Sequence, residues 1–206
     1  MGNTEKFDLN KVTKEEHCLI APCGIYCGAC DIFLGRSREL AKELSRIMKG
    51  FNMIDVGPLI MGVEQLKIQD FFEILDKWSQ GEKCSGCWKG ICWEGGGNTV
   101  CPVRECAKKQ DFLTCAECGK MPCNARQGDE ESQSTETSGW LEMVTKRYSR
   151  WNIDNLKRIR EIGYRRFIDE MRKKVKSGFL TSDVISREMI VSELNKKTNA
   201  YSAQIN

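Results

Sequence analysis

CSGCWKGICWEGGGNTVCPVRECAKKQDFLTCAECGKMPC, residues 84–123, holds eight of the twelve cysteines in this 206-residue chain. Cys84-x2-Cys87-x4-Cys92 recurs 31 residues later as Cys115-x2-Cys118-x4-Cys123, with Cys101 and Cys106 between. Sulfurs spaced two residues apart suit a tetrahedral ion, whose ligands lie about 4 Å from one another when each Zn–S bond is about 2.3 Å. Glycine follows or splits each pair (Gly86, Gly119), as a tight knuckle around a metal requires. This stretch predicts a fold stapled by metal, with irregular knuckles and little regular strand.

Outward from it, the remaining cysteines lie upstream: Cys18, then Cys23-x3-Cys27-x2-Cys30; none occurs in the last 83 residues. On one continuous helix Cys23 and Cys30 would be about 10 Å apart along the axis, too far for one ion. Cys23 is therefore expected to precede a helical turn that carries Cys27 and Cys30 near its N-terminus, where thiolates are favoured. The same spacing occurs in radical S-adenosylmethionine enzymes, but the chain lacks the alternating strands their barrel needs.

Composition narrows the chemistry. Hydrophobic residues make up 40% and charged residues 30%, and no apolar run approaches membrane-span length. The polar first 18 residues lack a secretory core, so a cytoplasmic location, reduced thiols and metal ligation rather than disulfides are expected. A single histidine, His17, leaves no support for a catalytic triad; it is read as a solvent-facing turn residue. Glu94–Asn98 lacks a Walker lysine and is read as a loop. The sequence points away from an enzyme.

Four segments are expected. Residues 1–17 form a mobile lead-in, 18–127 a cysteine-rich metal-binding domain, 128–139 an acidic linker or loop, and 140–206 a helical, basic region. Within the second, helices are predicted over Ser37–Phe51, facing Leu40, Leu44, Ile47, Met48 and Phe51 inward, and over Glu64–Trp78, burying Leu66, Phe71, Leu75 and Trp78. Asp55–Gly62, with Gly57-Pro58, reads as a connection. In the third and fourth, Gly128–Gly139 has no apolar residue, while Trp140–Trp151 and Ile153–Lys176 read as helices. The face of the last is Leu156, Ile159, Phe167, Met171 and Val175; Gly178 stops it, and Ser182 caps a final short helix with Val184, Ile185, Met189 and Leu194 inward. The fold class is α+β and mostly helical.

With APCGIYCGACDIFLG at 21–35, CSGCWKG at 84–90, VCPVRECAKKQ at 100–110 and FLTCAECGKMPC at 112–123, the chain resembles domain-of-unknown-function family 3795. The resemblance covers roughly residues 20–125 and implies a small, cysteine-rich, metal-binding domain with no established activity. Matching positions are Cys23, Cys27, Cys30, Cys84, Cys87, Cys101, Cys106, Cys115, Cys118 and Cys123. Cys18 lies outside the pattern and Cys92 matches it loosely. Tyr26 and Asp31 flank the first cluster.

The function expected is zinc binding, with two or three Zn2+ ions in a structural role and an interaction module built on them. An iron–sulfur redox protein with a [4Fe-4S] cluster is the alternative, since four thiolates hold either group. A third reading uses Lys146–Lys176, which carries 12 Lys and Arg against 4 acids among Tyr148, Trp151, Tyr164 and Phe167, to bind nucleic acid. Its competitor is a solvated helix whose aromatics face the core. No membrane partner is expected.

Overall fold

A computed structural model of the protein describes residues 7, 12–81, 84–89, 101–121, 123 and 132–186, with backbone alone at 132–138. The chain divides into two compact units, Met1–Cys30 with Ser85–Asn206, and Asp31–Cys84. The described residues are mostly helical. Among them there is no strand, only an isolated antiparallel bridge between Ile20 and Tyr26. The β component expected beside the helices is thus absent from the described residues, because sharp turns around the cysteines replace paired strands. No described helix is long and apolar enough to cross a membrane.

The first unit starts with α1, Lys14–His17. Thr13 caps it: its Oγ1 accepts the Glu16 N–H at 3.2 Å, and Glu16 Oε2 accepts the Thr13 N–H at 3.0 Å. Residues 12–17 are not the mobile lead-in expected. Val12 and Glu16 are buried, and the Glu16 carboxylate meets Arg165 at 2.9 Å and Arg172 at 2.8 Å. His17 likewise differs from a solvent-facing residue; it is half-buried with its Nε2 enclosed and lacking a hydrogen-bond partner.

In the second unit, α2 spans Asp31–Leu34, α3 Arg36–Gly50, α4 Met53–Met61 and α5 Gln65–Gln80. The α3 and α5 helices agree with the sequence expectation, but α4 corrects it, since Gly57-Pro58 lies inside a helix. Proline removes one backbone donor, yet the helix continues through it, and Gly57 is buried so closely on Ile68 that a Cβ there would come within 2.7 Å of Cδ1.

The buried faces are also shifted. Ala41 and Ser45 on α3, and Ile68 and Phe72 on α5, are the buried residues. Leu40, Leu44, Ile47 and Phe51 are exposed, as are Leu66, Phe71 and Trp78. Amphipathic spacing specifies an apolar stripe but not what covers it.

Back in the first unit, α6 is Pro102–Lys109 and α7 is Ser132–Arg147. The helix therefore begins inside the stretch expected as an acidic linker. No proline or glycine lies between Ser132 and Ser138, so nothing stops a helix anchored by buried Leu141 and Val144 from extending backward. It ends at Arg147 rather than Trp151, because Ser149 and Arg150 adopt left-handed backbone (φ 48° and 67°).

The spine of the unit is α8, Trp151–Lys176. Leu156, Ile159, Phe167 and Met171 are buried along it, as its periodicity predicts, with Val175 packed against the core. Each such side chain contributes about 1.5–3 kcal/mol on full burial. Gly163 (φ 80°, ψ 168°) interrupts the helical backbone, a conformation that side-chain-bearing residues avoid, and redirects the second half. The helix closes at Gly178: the Phe179 N–H reaches Lys174 O and the Gly178 N–H reaches Val175 O, each at 3.0 Å. A 3-10 turn, Thr181–Val184, follows; Met189 and Leu194 lie outside the described residues.

Candidate metal centre

None of the eleven described cysteines forms a disulfide, and Cys92 and Glu94–Asn98 lie outside the described residues. The best-braced knuckle is Cys115-Ala-Glu-Cys118, a 3-10 turn over Cys115–Glu117. Thr114 Oγ1 accepts the Ala116 N–H at 3.1 Å. Glu117 Oε1 accepts from the backbone N–H of Leu113 at 2.7 Å and from the Tyr164 hydroxyl at 2.6 Å. With its own proton so used, the Tyr164 oxygen is free to accept from the Thr114 hydroxyl, 2.9 Å away. Burial and the adjacent Glu117 carboxylate push the Tyr164 phenol well above its usual range, which keeps it a neutral donor.

Arg160, on the same face of α8, caps three carbonyls of this loop. It donates to Ala116 O at 2.7 Å, to Met121 O at 3.4 Å and to Cys118 O. Cys118 O also accepts the Met121 N–H at 3.2 Å, and a buried carbonyl left without a partner costs about 1–3 kcal/mol.

The first knuckle is tied to α8 in a parallel way. Asn152 Nδ2 donates to Cys23 O at 3.1 Å, and Asn155 Nδ2 donates to Gly24 O at 2.9 Å. Gly24 has φ +93°, and a Cβ there would fall 2.2 Å from the Asn152 carbonyl oxygen. Only glycine lets the loop lie so close on the helix. Cys23 precedes the short 3-10 turn Cys27–Ala29, and Cys30 caps its far end. Tyr26 is fully buried, edge-on to Phe167 at 6.0 Å between ring centroids. Asp31, in the other unit, pairs with Arg36 at 3.2 Å.

Backbone contacts then join the knuckles. The Cys115 N–H donates to Pro22 O at 2.9 Å, setting Cys115 beside Cys23. The buried Arg104 guanidinium donates to Cys87 O at 2.9 Å, drawing that residue to the N-terminus of α6, which Cys101 caps.

The thiols respond to one another accordingly. Burial pushes the Cys23 thiol far above its ordinary range, and negative charge on Cys87, Cys101 and Cys115 pushes it further. Cys115 is raised by burial first, then by Cys123, Cys106, Cys118 and Cys101. Cys106 and Cys123 are raised mainly by burial, with Cys118 a common neighbour. Cys23 thus has Cys87, Cys101 and Cys115 as electrostatic neighbours, Cys106 and Cys123 share Cys118, and Cys115 is within reach of Cys101, Cys106, Cys118 and Cys123. Cys18 is buried elsewhere, its thiol donating to Lys14 O at 3.7 Å. Cys27 is half-buried beside Tyr26, and Cys30 and Cys84 are half-buried at the ends of their units. Among the described residues, no three His, Cys, Asp or Glu side chains stand close enough together to hold a metal ion as they lie.

The aromatics of the basic helix turn inward. Tyr148, Tyr164 and Phe167 are buried, and Trp151 packs on Phe179 at 5.4 Å. Arg158 pairs with Glu161 and Glu170, and Arg165 with Glu16 and Asp169. The stacking faces that a nucleic-acid reading needs belong largely to the core.

Arg104, Asn152, Asn155, Arg160, Tyr164 and Glu117 were not legible as site residues from spacing. A signal did exist for two of them: Asn152 and Asn155 interrupt the apolar side of α8, where a polar residue needs a partner.

A mostly helical unit that gathers buried cysteine knuckles on one long helix is thus the class of protein defined here. The chain belongs to the family described as protein of unknown function DUF3795, whose model matches residues 19–128. No curated protein and no solved structure matches it.

Proposed function

We propose that the protein is a structural metal protein of reducing compartments, in which buried thiolates hold two Zn2+ ions and so order a surface for interaction. Cys23, Cys87 and Cys101 serve one ion, and Cys106, Cys118 and Cys123 the other. Cys115 bridges them. Two four-coordinate ions that share one sulfur need seven thiolates, the number these two sets and Cys115 supply.

The observation that carries this reading is the bracing of the knuckles by Arg104, Asn152 and Arg160, which leaves these seven thiols, three buried and four half-buried, as electrostatic neighbours of Cys23 or Cys115. An all-sulfur donor set fits zinc. Thiols carried on braced backbones also fit a site that closes when a cation displaces their protons. A closed four-thiolate site leaves no open position for substrate, so the metal supplies folding energy. Apparent binding energies for structural zinc reach about 10–16 kcal/mol at neutral pH, enough to replace much of a conventional core.

Anaerobic purification followed by elemental analysis and a visible spectrum tests the proposal. Colourless protein with at least two zinc per chain is expected, and Cys115→Ser should lower zinc at both sites while Cys106→Ser lowers it at one. Brown protein with iron and sulfide in matching amounts would instead establish the iron–sulfur alternative.

A further inference from the structure

Every large hydrophobic side chain that is exposed among the described residues lies in the Asp31–Cys84 unit, thirteen of them between Leu34 and Trp78. On α3, Leu40, Leu44, Ile47 and Phe51 form one continuous stripe at helical spacing, 41–73% exposed. On α5, Phe71, Ile74 and Trp78 form another.

The two stripes share a side. Ser45 and Lys49 of α3 both reach Asp76 of α5, and the Lys49 ammonium lies 5.8 Å from the Phe72 ring centroid, so the helices run antiparallel. At 3.6 residues per turn, each exposed stripe sits about 100° behind its own buried residues. In an antiparallel pair those equal offsets point the same way. They make one apolar face.

Its size calls for a partner. Weighted by exposure and taking about 200 Å² for a fully exposed side chain of this class, the residues of the two stripes present roughly 700 Å². The largest patch on a typical monomer is about 300–600 Å², and a standard interface buries about 800 Å² per partner.

Charge selects the partner. Residues 31–84 carry 8 Lys and Arg against 9 Asp and Glu. Lys49 is paired with Asp76, Arg46 with Glu43 and Lys77 with Glu73. A face flanked by locally neutralised charge neither attracts phosphate nor repels its own copy. We infer that the α3–α5 face is the two-fold interface of a homodimer, in which the antiparallel pairs of two copies stack as four helices. The inference is independent of the metal reading.

Sedimentation equilibrium on the full, metal-loaded chain over about a hundredfold range of concentration reads the outcome. Twice the 23.5 kDa chain mass is expected. Leu44→Glu with Ile74→Glu should weaken association more than tenfold, leaving helicity and metal content unchanged; both residues are exposed, so folding does not need them. If that pair loses helicity, Leu44→Gln with Ile74→Gln serves instead. A wild-type monomer at every concentration would overturn the inference, including a monomer that sediments with phosphatidylcholine vesicles. So would a folded variant that still dimerises.

Discussion

Replacing Gly24 by alanine isolates the contact between the first cysteine knuckle and α8. At φ +93° an L-residue pays about 1–2 kcal/mol for left-handed backbone. The added Cβ would also sit 2.2 Å from the Asn152 carbonyl oxygen and 2.7 Å from Leu156 Cγ. The first of these is backbone and cannot step aside without moving the helix, an overpacking cost of about 1–3 kcal/mol. Lifting the loop would break the buried Asn155–Gly24 hydrogen bond as well, a further cost of about 1–3 kcal/mol. The sum is about 3–8 kcal/mol, a large share of the roughly 5–15 kcal/mol typical of a folded protein. Gly178 is the control, since it has φ +100° in the same unit and a Cβ added there would meet nothing within 4 Å. Gly178→Ala should therefore cost only the backbone component, about 1–2 kcal/mol. Chemical unfolding followed by circular dichroism, with free zinc held constant, measures both. Equal losses for the two variants, or a loss below about 1 kcal/mol for Gly24→Ala, would refute the close approach of loop and helix.

Other outcomes follow from the same bracing. Arg160→Met should release the three carbonyls of the Cys115–Met121 loop and speed zinc loss to a chelator at least tenfold; Arg160→Lys, lacking the planar fork, should rescue little. Tyr164→Phe, which removes the hydroxyl joining Thr114 to Glu117, should cost about 1–3 kcal/mol in the same unfolding assay. Burial alone would raise the Glu16 carboxyl, but the Thr13 N–H and the Arg165 and Arg172 guanidiniums outweigh it and hold Glu16 below its ordinary range. Its contribution is therefore present at neutral pH and is lost as pH falls through that lowered value. The stability gap between wild type and Glu16→Gln should close on acidification, and a gap constant with pH would contradict the ion pairs.

How far the sequence reached is clearest at particular residues. Thiol spacing marks the knuckles because a Cys-x2-Cys pair with a neighbouring glycine is a local pattern. It could not pair Cys23 with Cys115, because that pairing depends on Pro22 O and on asparagines about 130 residues away. Periodicity found α3, α5 and the buried face of α8. It misjudged Leu40 and Trp78, since an apolar stripe is identical in sequence whether its cover is the same chain or another copy. Gly57-Pro58 reads as a break because local propensity carries no trace of the packing against Ile68, and the kink at Gly163 has only the weak signal of one glycine in a long helix.

Zinc-edge X-ray absorption on the purified protein addresses the thiolate centre most directly. Four sulfur scatterers per zinc at about 2.3 Å, with no nitrogen or oxygen shell, are expected. Light-atom ligands around the zinc, or protein that folds fully with no metal bound, would contradict it.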